Sequence, residues 1–521
     1  MRMWKTWEEL LAELREKEES ARLGGGAERQ RIQKEKGKLL CRERIDRLVD
    51  PGSFVEINML VETQTFEFNM QQKKILGDGV ITGFALIGGR KVFVFSQDVT
   101  VFGGSAGRAH GEKINYLFRM AAKVGAPIIG LFESGGGRLQ DGFQNESGYG
   151  QMFTEITRNS GVIPQIAVIM GACTGGGVYG PALMDFIIQV EKTAQMFITG
   201  PAVIEEVTKE RVTFEELGGA SVHSRESGVN HFVAKNETDC LELIRRLLSY
   251  LPQNNKEKAP PYACEDDWHR PNDVLTDIVP TEPRKTYDMH SVILEVVDNS
   301  EFLEIQTLFA PNIIVGLGRL HGESVGVVAN QPRYKGGTID VNAADKAARF
   351  IRFCDCFNIP LIMFTDVPGY LPGVDQEKKG IIRHGAKMLY AFCEATVPKI
   401  SCVLRKSYGG AIPAMCCHET GADLMFAWPT AEFAMMGAEA AVNILYKKEI
   451  KEANDPDVVR QEKMKEYSES ILTPYYAASR QYIDAVIHPE HTRRWLIHGL
   501  AVLKDKCADR EMWRKHGNIP L

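Results

Sequence analysis

The sequence predicts an α/β layered fold laid down twice in one chain, and three observations carry that expectation. From about Gly77 onward, short β-rich runs alternate with helical stretches and break at glycines, as in "RKVFVFSQDVTVFGGSAG" (90–107), "APIIGLFESGGG" (126–137) and "VIPQIAVIMGACTGGG" (162–177). Strands alternating with helices in this way argue for layers of helix on sheet. The pattern then recurs: "IPLIMFTDVPG" (359–369) echoes the second run, "TVPKISCVLRKSYGGA" (396–411) the third, and "AEFAMMGAEA" (431–440) echoes "AQMFITGPAV" (194–203). The spacing coincides as well. Eleven residues separate Pro164 from Gly175 and also Pro398 from Gly409, while 39 separate Gly136 from Gly175 and 40 separate Gly369 from Gly409. Matched spacing over this length is the signature of a duplicated unit. The halves are expected at residues 1–260 and 270–521. Between them lies "PQNNKEKAPPYACEDDWHRPND" (252–273), polar, rich in proline and without periodicity.

In chain order, Thr6 and Glu9 form a T-x-x-E capping box ahead of an apolar stripe of Trp7, Leu10, Leu11 and Leu14, which predicts a first helix broken by the glycines at 24–26. The basic stretch "RQRIQKEKGKLLCRERIDRLVDPG" follows as a second helical region ending at Asp50-Pro51-Gly52. Its charges read either as a solvated face or as a surface near a phosphorylated ligand. The β-rich runs described above make up the remainder of each half.

A chain of 521 residues, 44% hydrophobic and 25% charged, has the composition of a multidomain globular protein. Its net charge of −6 gives no reason to expect nucleic acid as a partner. No apolar run reaches the ~18–20 residues of a membrane span. The N-terminus lacks the apolar core of a secretory signal, so a cytoplasmic protein is expected. Eleven scattered cysteines contain no C-x-x-C pair, so no metal site is expected, and Cys354, Cys356, Cys416 and Cys417 read as core residues.

In each half a strand runs into consecutive glycines that should open a helix. Three consecutive glycines, Gly175 to Gly177, strip every side chain from such a point. Bare amides there can hold a developing oxyanion, whereas a single such turn could equally be close packing. Two turns at equivalent places suggest a reaction with two oxyanions, one on each reactant. Other catalytic kits are missing from the sequence: it has no GxxxxGK[ST] loop, no HExxH helix and no GxGxxG after a strand, and Ser134 in "ESGGG" lacks the G-x-S-x-G form.

"MGACTGGGVYG" resembles the crotonase (ClpP/crotonase) superfamily, whose backbone amides hold the enolate of a coenzyme A thioester. From about residue 30 to 521 the chain is similar to one branch, the carboxyltransferase β subunits of biotin-dependent acyl-CoA carboxylases such as propionyl-CoA carboxylase. The resemblance rests on "VFSQDVTVFGGS", "ESGGGRLQDG", "FITGPAVIEEVTKERVTFEELGGASVH", "RFIRFCDCFNIPLIMFTDVPGYLPG", "GIIRHGAKMLYAF", "AWPTAEFAMMGAEAAVNILY" and the terminal "WRKHGNIPL". It also extends to the α subunits of sodium-pumping decarboxylases such as methylmalonyl-CoA decarboxylase.

The resemblance implies two crotonase-like domains, the first on the acyl-CoA side and the second on the biotin side. It implies that carboxybiotin releases CO2 in the site, that the biotin ureido anion removes the α-proton of the acyl-CoA, and that the enolate attacks the CO2. By the same resemblance, Gly175 and Gly176 match the enolate hole and Gly410 and Ala411 the hole for the ureido oxygen. Gly135, Gly136, Gly137, Gly177, Gly369, Gly409, Ile412 and Pro413 would border the substrates. Where propionyl-type members usually read Gly-Gly-Ala-Tyr-Asp, this chain has Gly409 to Pro413, "GGAIP", which withdraws the expectation of a propionyl preference. "DGFQNESGYG" (141–150) also departs from the family's usual run. With no A-M-K-M biotinylation motif and no nucleotide-grasp signature, biotin is expected on another chain, a biotin carboxylase or carboxyl carrier partner, and a hexamer is the usual assembly. Two readings stand beside the carboxylase: a decarboxylase subunit running the same site in reverse, and a non-catalytic CoA-binding scaffold.

Overall fold

The computed structural model describes residues 4–65, 67–507 and 516–521, without the side chains of 144–147. Trp513, Arg514 and Lys515 of "WRKHGNIPL" and the side chains of "QNES" in "DGFQNESGYG" therefore lie outside the described residues. The chain divides into two compact units between Lys258 and Ala259.

The first unit holds β1 (Val55–Ile57), β2 (Val80–Ile87), β3 (Arg90–Gln97), β4 (Ile128–Ser134), β5 (Gln165–Thr174), β6 (Phe186–Val190), β7 (Gln195–Phe197) and β8 (Phe232–Ala234). They form one sheet in the order β1-β2-β3-β4-β5-β6-β8, with β7 also on β5. The β1-β2 and β2-β3 pairs are antiparallel, and every later pair is parallel. The second unit holds β9 (Leu303–Ile305), β10 (Ile313–Leu320), β11 (Glu323–Asn330), β12 (Leu361–Val367), β13 (Lys399–Tyr408), β14 (Leu424–Ala427), β15 (Glu432–Ala434) and β16 (Ala485–Val486). Its order β9-β10-β11-β12-β13-β14-β16, with β15 on β13, repeats the first sheet strand for strand and direction for direction. Even the register shift recurs, between Phe132 and Ser134 on β4 and between Thr365 and Val367 on β12. The duplicated crotonase-like fold expected from the sequence is the observed one.

The central strands are apolar on both faces, as β-strands buried beneath helices must be; β4 and β12 are buried along their whole length. Helices Arg108–Val124 and Val341–Cys356 cover the sheets, and each buries a lysine: Lys113 Nζ donates to the Gly77 carbonyl at 2.9 Å and also to that of Val80, while Lys346 Nζ donates to those of Gln306, Phe309 and Ile313 at 2.9 Å. Burial draws both ammonium groups down to about 8. A lysine so placed satisfies carbonyls that no strand partner reaches.

The Thr6–Glu9 capping box forms at the head of helix Trp7–Leu23, but Trp7, Leu10, Leu11 and Leu14 are all exposed. The basic stretch splits into helices Ala27–Glu35 and Cys41–Leu48, and its key charges face inward. Buried Arg44 pairs with Glu133 at the end of β4 and with Glu237, each at 2.6 Å, and Lys38 also pairs with Glu133. Lys38 and Arg44 are thus committed to two buried carboxylates, whereas Arg29, Arg31, Lys34, Lys36 and Arg47 are exposed, as in a solvated face. Among the four cysteines read as core residues, Cys354, Cys416 and Cys417 are buried and Cys356 is exposed.

Candidate active site: two equivalent glycine turns

Each sheet ends its longest strand in a glycine turn. At the end of β5, Gly175 takes a left-handed φ of +63°, and at the end of β13 Gly409 takes +56°. A side chain is strained there, so glycine is what lets the chain reverse direction in one residue. The pairing of β4 with β5 and of β12 with β13 makes Gly175, Gly176 and Gly177 equivalent to Gly409, Gly410 and Ala411. Exposure follows the same order in both units: half-buried, exposed, buried.

The helices that these turns open are short. A 3₁₀ turn, Gly175–Val178, leads into Tyr179–Leu183, and the second turn leads into Ala411–Ala414. One turn of helix sums few peptide dipoles, so any anion affinity comes from the local amides. In the second unit the Gly409 amide is already committed, donating to the Ala434 carbonyl of β15 at 2.8 Å. The next bond of the turn is from the Ile412 amide to the Gly409 carbonyl, 3.1 Å. The Gly410 and Ala411 amides lie between these two.

Space is open in front of the first turn, whereas in the second a Cβ on Gly409 would lie 2.9 Å from the Met435 carbonyl. A Cβ on Gly175 or Gly176 would meet no atom within 4 Å, and one on Gly410 would meet only the Tyr370 ring at 3.6 Å. The residues that follow Gly410 are held rigidly. The Pro413 carbonyl accepts from Thr420 Oγ1 at 3.0 Å and from the Cys416 amide at 3.2 Å, and Ile412 and Pro413 are half-buried. Proline costs nothing there, because an amide in the first turn of a helix has no helical acceptor.

A second loop borders each turn. After β4, the Gly135 amide donates to the Gly103 carbonyl at 3.1 Å, and the Gly136 amide to Ser134 Oγ at 3.1 Å. Ser134 Oγ in turn donates to the Gly104 carbonyl at 2.7 Å, so this serine is a structural brace. The Ala106 amide donates to the Gly136 carbonyl and the Arg138 amide to the Ala106 carbonyl, both at 2.9 Å. The second unit repeats this bridge: Ile339 to the Gly369 carbonyl at 3.1 Å, and Leu371 to the Ile339 carbonyl at 2.8 Å. Gly135 and Gly136 therefore spend their amides inside the protein, and Gly136 packs where a Cβ would lie 3.1 Å from the Thr174 carbonyl. Arg138 is likewise internal, with Nη1 on Asp78 at 2.7 Å and Nη2 on the Ser105 carbonyl at 2.9 Å.

A backbone-built pair of sites of this type fits a known family, and the model of the carboxyl transferase domain matches residues 32–519. The chain belongs to the carboxyl transferase family. It is 53% identical over 516 residues to the propionyl-CoA carboxylase carboxyltransferase subunit of Haloferax mediterranei, covering 99% of this chain and 100% of that one. It is 50% identical over 516 residues to the methylmalonyl-CoA decarboxylase α subunit of Veillonella parvula, with the same coverage. Among solved structures it matches the transcarboxylase 12S hexamer with methylmalonyl-coenzyme A and methylmalonic acid bound, at a TM-score of 0.97 and 48% identity over the whole of both chains. Membership carries an activity class with it: this carboxyltransferase works in biotin-dependent carboxyl transfer on an acyl-CoA.

One candidate residue was not singled out from the sequence. Tyr370 stands against the carboxyltransferase's second glycine turn, yet its motif "DVPGYLPG" gave no chemical reason to choose it over its neighbours. The only usable signal was alignment of the two halves, which sets Tyr370 opposite Gly137.

Proposed function

We propose that the chain is the carboxyltransferase subunit of a biotin-dependent acyl-CoA carboxylase, moving a carboxyl group onto the α-carbon of an acyl-CoA. The observation that carries this reading is the pair of equivalent glycine turns, with nothing within 4 Å of a Cβ on Gly176 and the Tyr370 ring 3.6 Å from one on Gly410. In it, the Gly175 and Gly176 amides hold the thioester oxygen as it gains enolate charge. The Gly410 and Ala411 amides hold the ureido oxygen of biotin, and their placement between two committed amides suits a single carbonyl-type acceptor. An oxyanion donor of this type contributes about 3–4 kcal/mol. Biotin, when delivered by its carrier chain, supplies the carboxyl group and the base. That assignment accounts for the sequence offering no evident protein acid/base pair.

Gly135, Gly136, Gly137, Gly177, Gly369 and Gly409 shape the walls, and Ile412 and Pro413 line the side nearest the acyl group with an apolar, rigid surface. The first unit serves the acyl-CoA and the second the biotin. The assembly is a homo-oligomer, a hexamer like that of the transcarboxylase 12S relative, and neighbouring copies of this chain complete each site. The compartment is the cytoplasm; no helix among the described residues is long and apolar enough to cross a membrane.

A decarboxylase subunit remains the second reading, favoured by 50% identity along nearly the whole chain to the Veillonella decarboxylase subunit. Co-purification from the native source separates the two: a biotin carboxylase and carrier support the carboxylase, and a polytopic membrane protein overturns it. Absence of turnover with every acyl-CoA and free biotin would leave only the scaffold. A fully active monomer in light scattering would remove the oligomer from the proposal.

A further inference from the structure

The duplication leaves a question that the shared fold does not answer: how two turns of the same shape come to take different ligands. Strand pairing, φ angles and exposure are the same in both. The bridging loops make the same hydrogen bonds, with Ala106 paired to Gly137 in one unit and Ile339 to Tyr370 in the other. The first glycine is packed more tightly in the second unit, where a Cβ on Gly409 would lie 2.9 Å from the Met435 carbonyl, and at the bridge position the units differ in side chain. In the first unit it is glycine, and nothing lies within 4 Å of a Cβ built on Gly175 or Gly176. In the second it is tyrosine, whose Cδ2 and Cε2 lie 3.6 Å from the Cβ position of Gly410.

The tyrosine is held in place from behind. Gly385 of helix Ile381–Glu394 lies so close that a Cβ there would be 2.9 Å from the Tyr370 ring, and Tyr370 Oη donates to the Gly385 carbonyl at 3.4 Å. A glycine in mid-helix costs about 0.5–1 kcal/mol against alanine, and here it makes the room the ring occupies. The ring is half-buried while Gly410 is exposed, so a ligand reaches both. Burial raises the phenol to about 12, which leaves it a neutral, uncharged surface at neutral pH.

We propose that Tyr370 is the specificity-determining residue of the second turn: its ring forms the wall against which the flat ureido ring of biotin lies, while Gly137 at the equivalent place leaves the first turn open for a thioester with its α-substituent. The inference rests on the reading of Gly410 and Ala411 as the biotin side. Aromatic faces pack well on flat, weakly polar rings. A thioester carrying an α-branch would meet the Tyr370 ring where the biotin ring lies flat. A difference at one bridge position thus breaks the symmetry of a duplicated site.

The test uses the purified full chain, with methylmalonyl-CoA and free biotin as substrates and biotin binding followed separately by saturation-transfer NMR. Tyr370→Gly and Tyr370→Leu are compared with Tyr370→Phe and with Gly410→Ala. The expected result is a biotin KM at least tenfold higher and a weakened biotin signal in the Gly and Leu variants, with the KM for the CoA thioester within twofold of wild type. Tyr370→Phe keeps the ring and stays within twofold for both substrates. The leucine variant fills the space behind Gly410, so it reports on flatness even if the glycine variant does not fold. Wild-type biotin KM and binding in both variants, alongside a raised biotin KM in Gly410→Ala, would overturn the role of Tyr370 alone. An unchanged biotin response in Gly410→Ala would instead overturn the biotin reading of the second turn, and the proposal with it.

Discussion

Replacing Gly176 with alanine adds one methyl group at the centre of the first turn. Gly176 lies outside the left-handed region, and its Cβ would meet nothing within 4 Å, so the backbone accepts alanine without strain or clash. The fold should lose nothing and could gain about 0.4–1 kcal/mol through a less flexible unfolded chain. On the proposed reading activity should behave oppositely, because the methyl would stand where an oxygen approaches the Gly175 and Gly176 amides. Losing one oxyanion contact costs about 2.7–4 kcal/mol, or 10²–10³ in kcat. The assay is decarboxylation of methylmalonyl-CoA with free biotin present, run beside a thermal melt of the same preparation. Gly175→Ala is the informative contrast: at φ +63° it carries an added strain of about 1–2 kcal/mol, so its melt should fall as well. A Gly176→Ala enzyme that melts like wild type and turns over within threefold of it would refute the enolate hole.

Three further outcomes are expected. Arg44→Met should lower stability by about 3–5 kcal/mol in urea unfolding, because it leaves buried Glu237 without its 2.6 Å partner and Glu133 with Lys38 and Gln33 alone. His110 is buried, and its burial together with the Arg138 charge draws it down to about 3. The unfolded chain therefore takes up this proton below pH ~6.5 while the folded chain does not. Stability should be lost as pH falls from ~6.5 toward 4, by at most about 1.4 kcal/mol per pH unit from this group, and His110→Gln should flatten that slope in urea midpoints. Pro413→Asp should change the ranking of kcat/KM among acetyl-, propionyl- and butyryl-CoA by roughly 1–3 kcal/mol; a wild type that strongly prefers propionyl-CoA, with its ranking unchanged by the substitution, would count against the wall assigned to Ile412 and Pro413.

The sequence by itself determined that the chain is duplicated, that each half layers helices on β-strands, and that a strand in each half runs into consecutive glycines. Those features are local: strand-forming runs, equal spacings, and residues that only a sharp turn requires. It could not determine which amides are committed, because the Gly409 amide meets the Ala434 carbonyl on β15, 25 residues further along the chain. Nor could it separate the glycines that face open space from those that pack, since Gly135, Gly136 and Gly176 look alike until the loop at Gly103–Ala106 closes on the first two. In the basic N-terminal stretch the sequence could not tell Lys38 and Arg44, which answer carboxylates at positions 133 and 237 that only folding brings near, from the exposed cations around them. The contrast between Gly137 and Tyr370 was printed in the sequence, but it acquires meaning only when strand pairing puts both at one bridge position and a ring against Gly410. Residue type is a local property; which polar groups are left over is decided by contacts between segments far apart in the chain, and those contacts exist only in the folded structure.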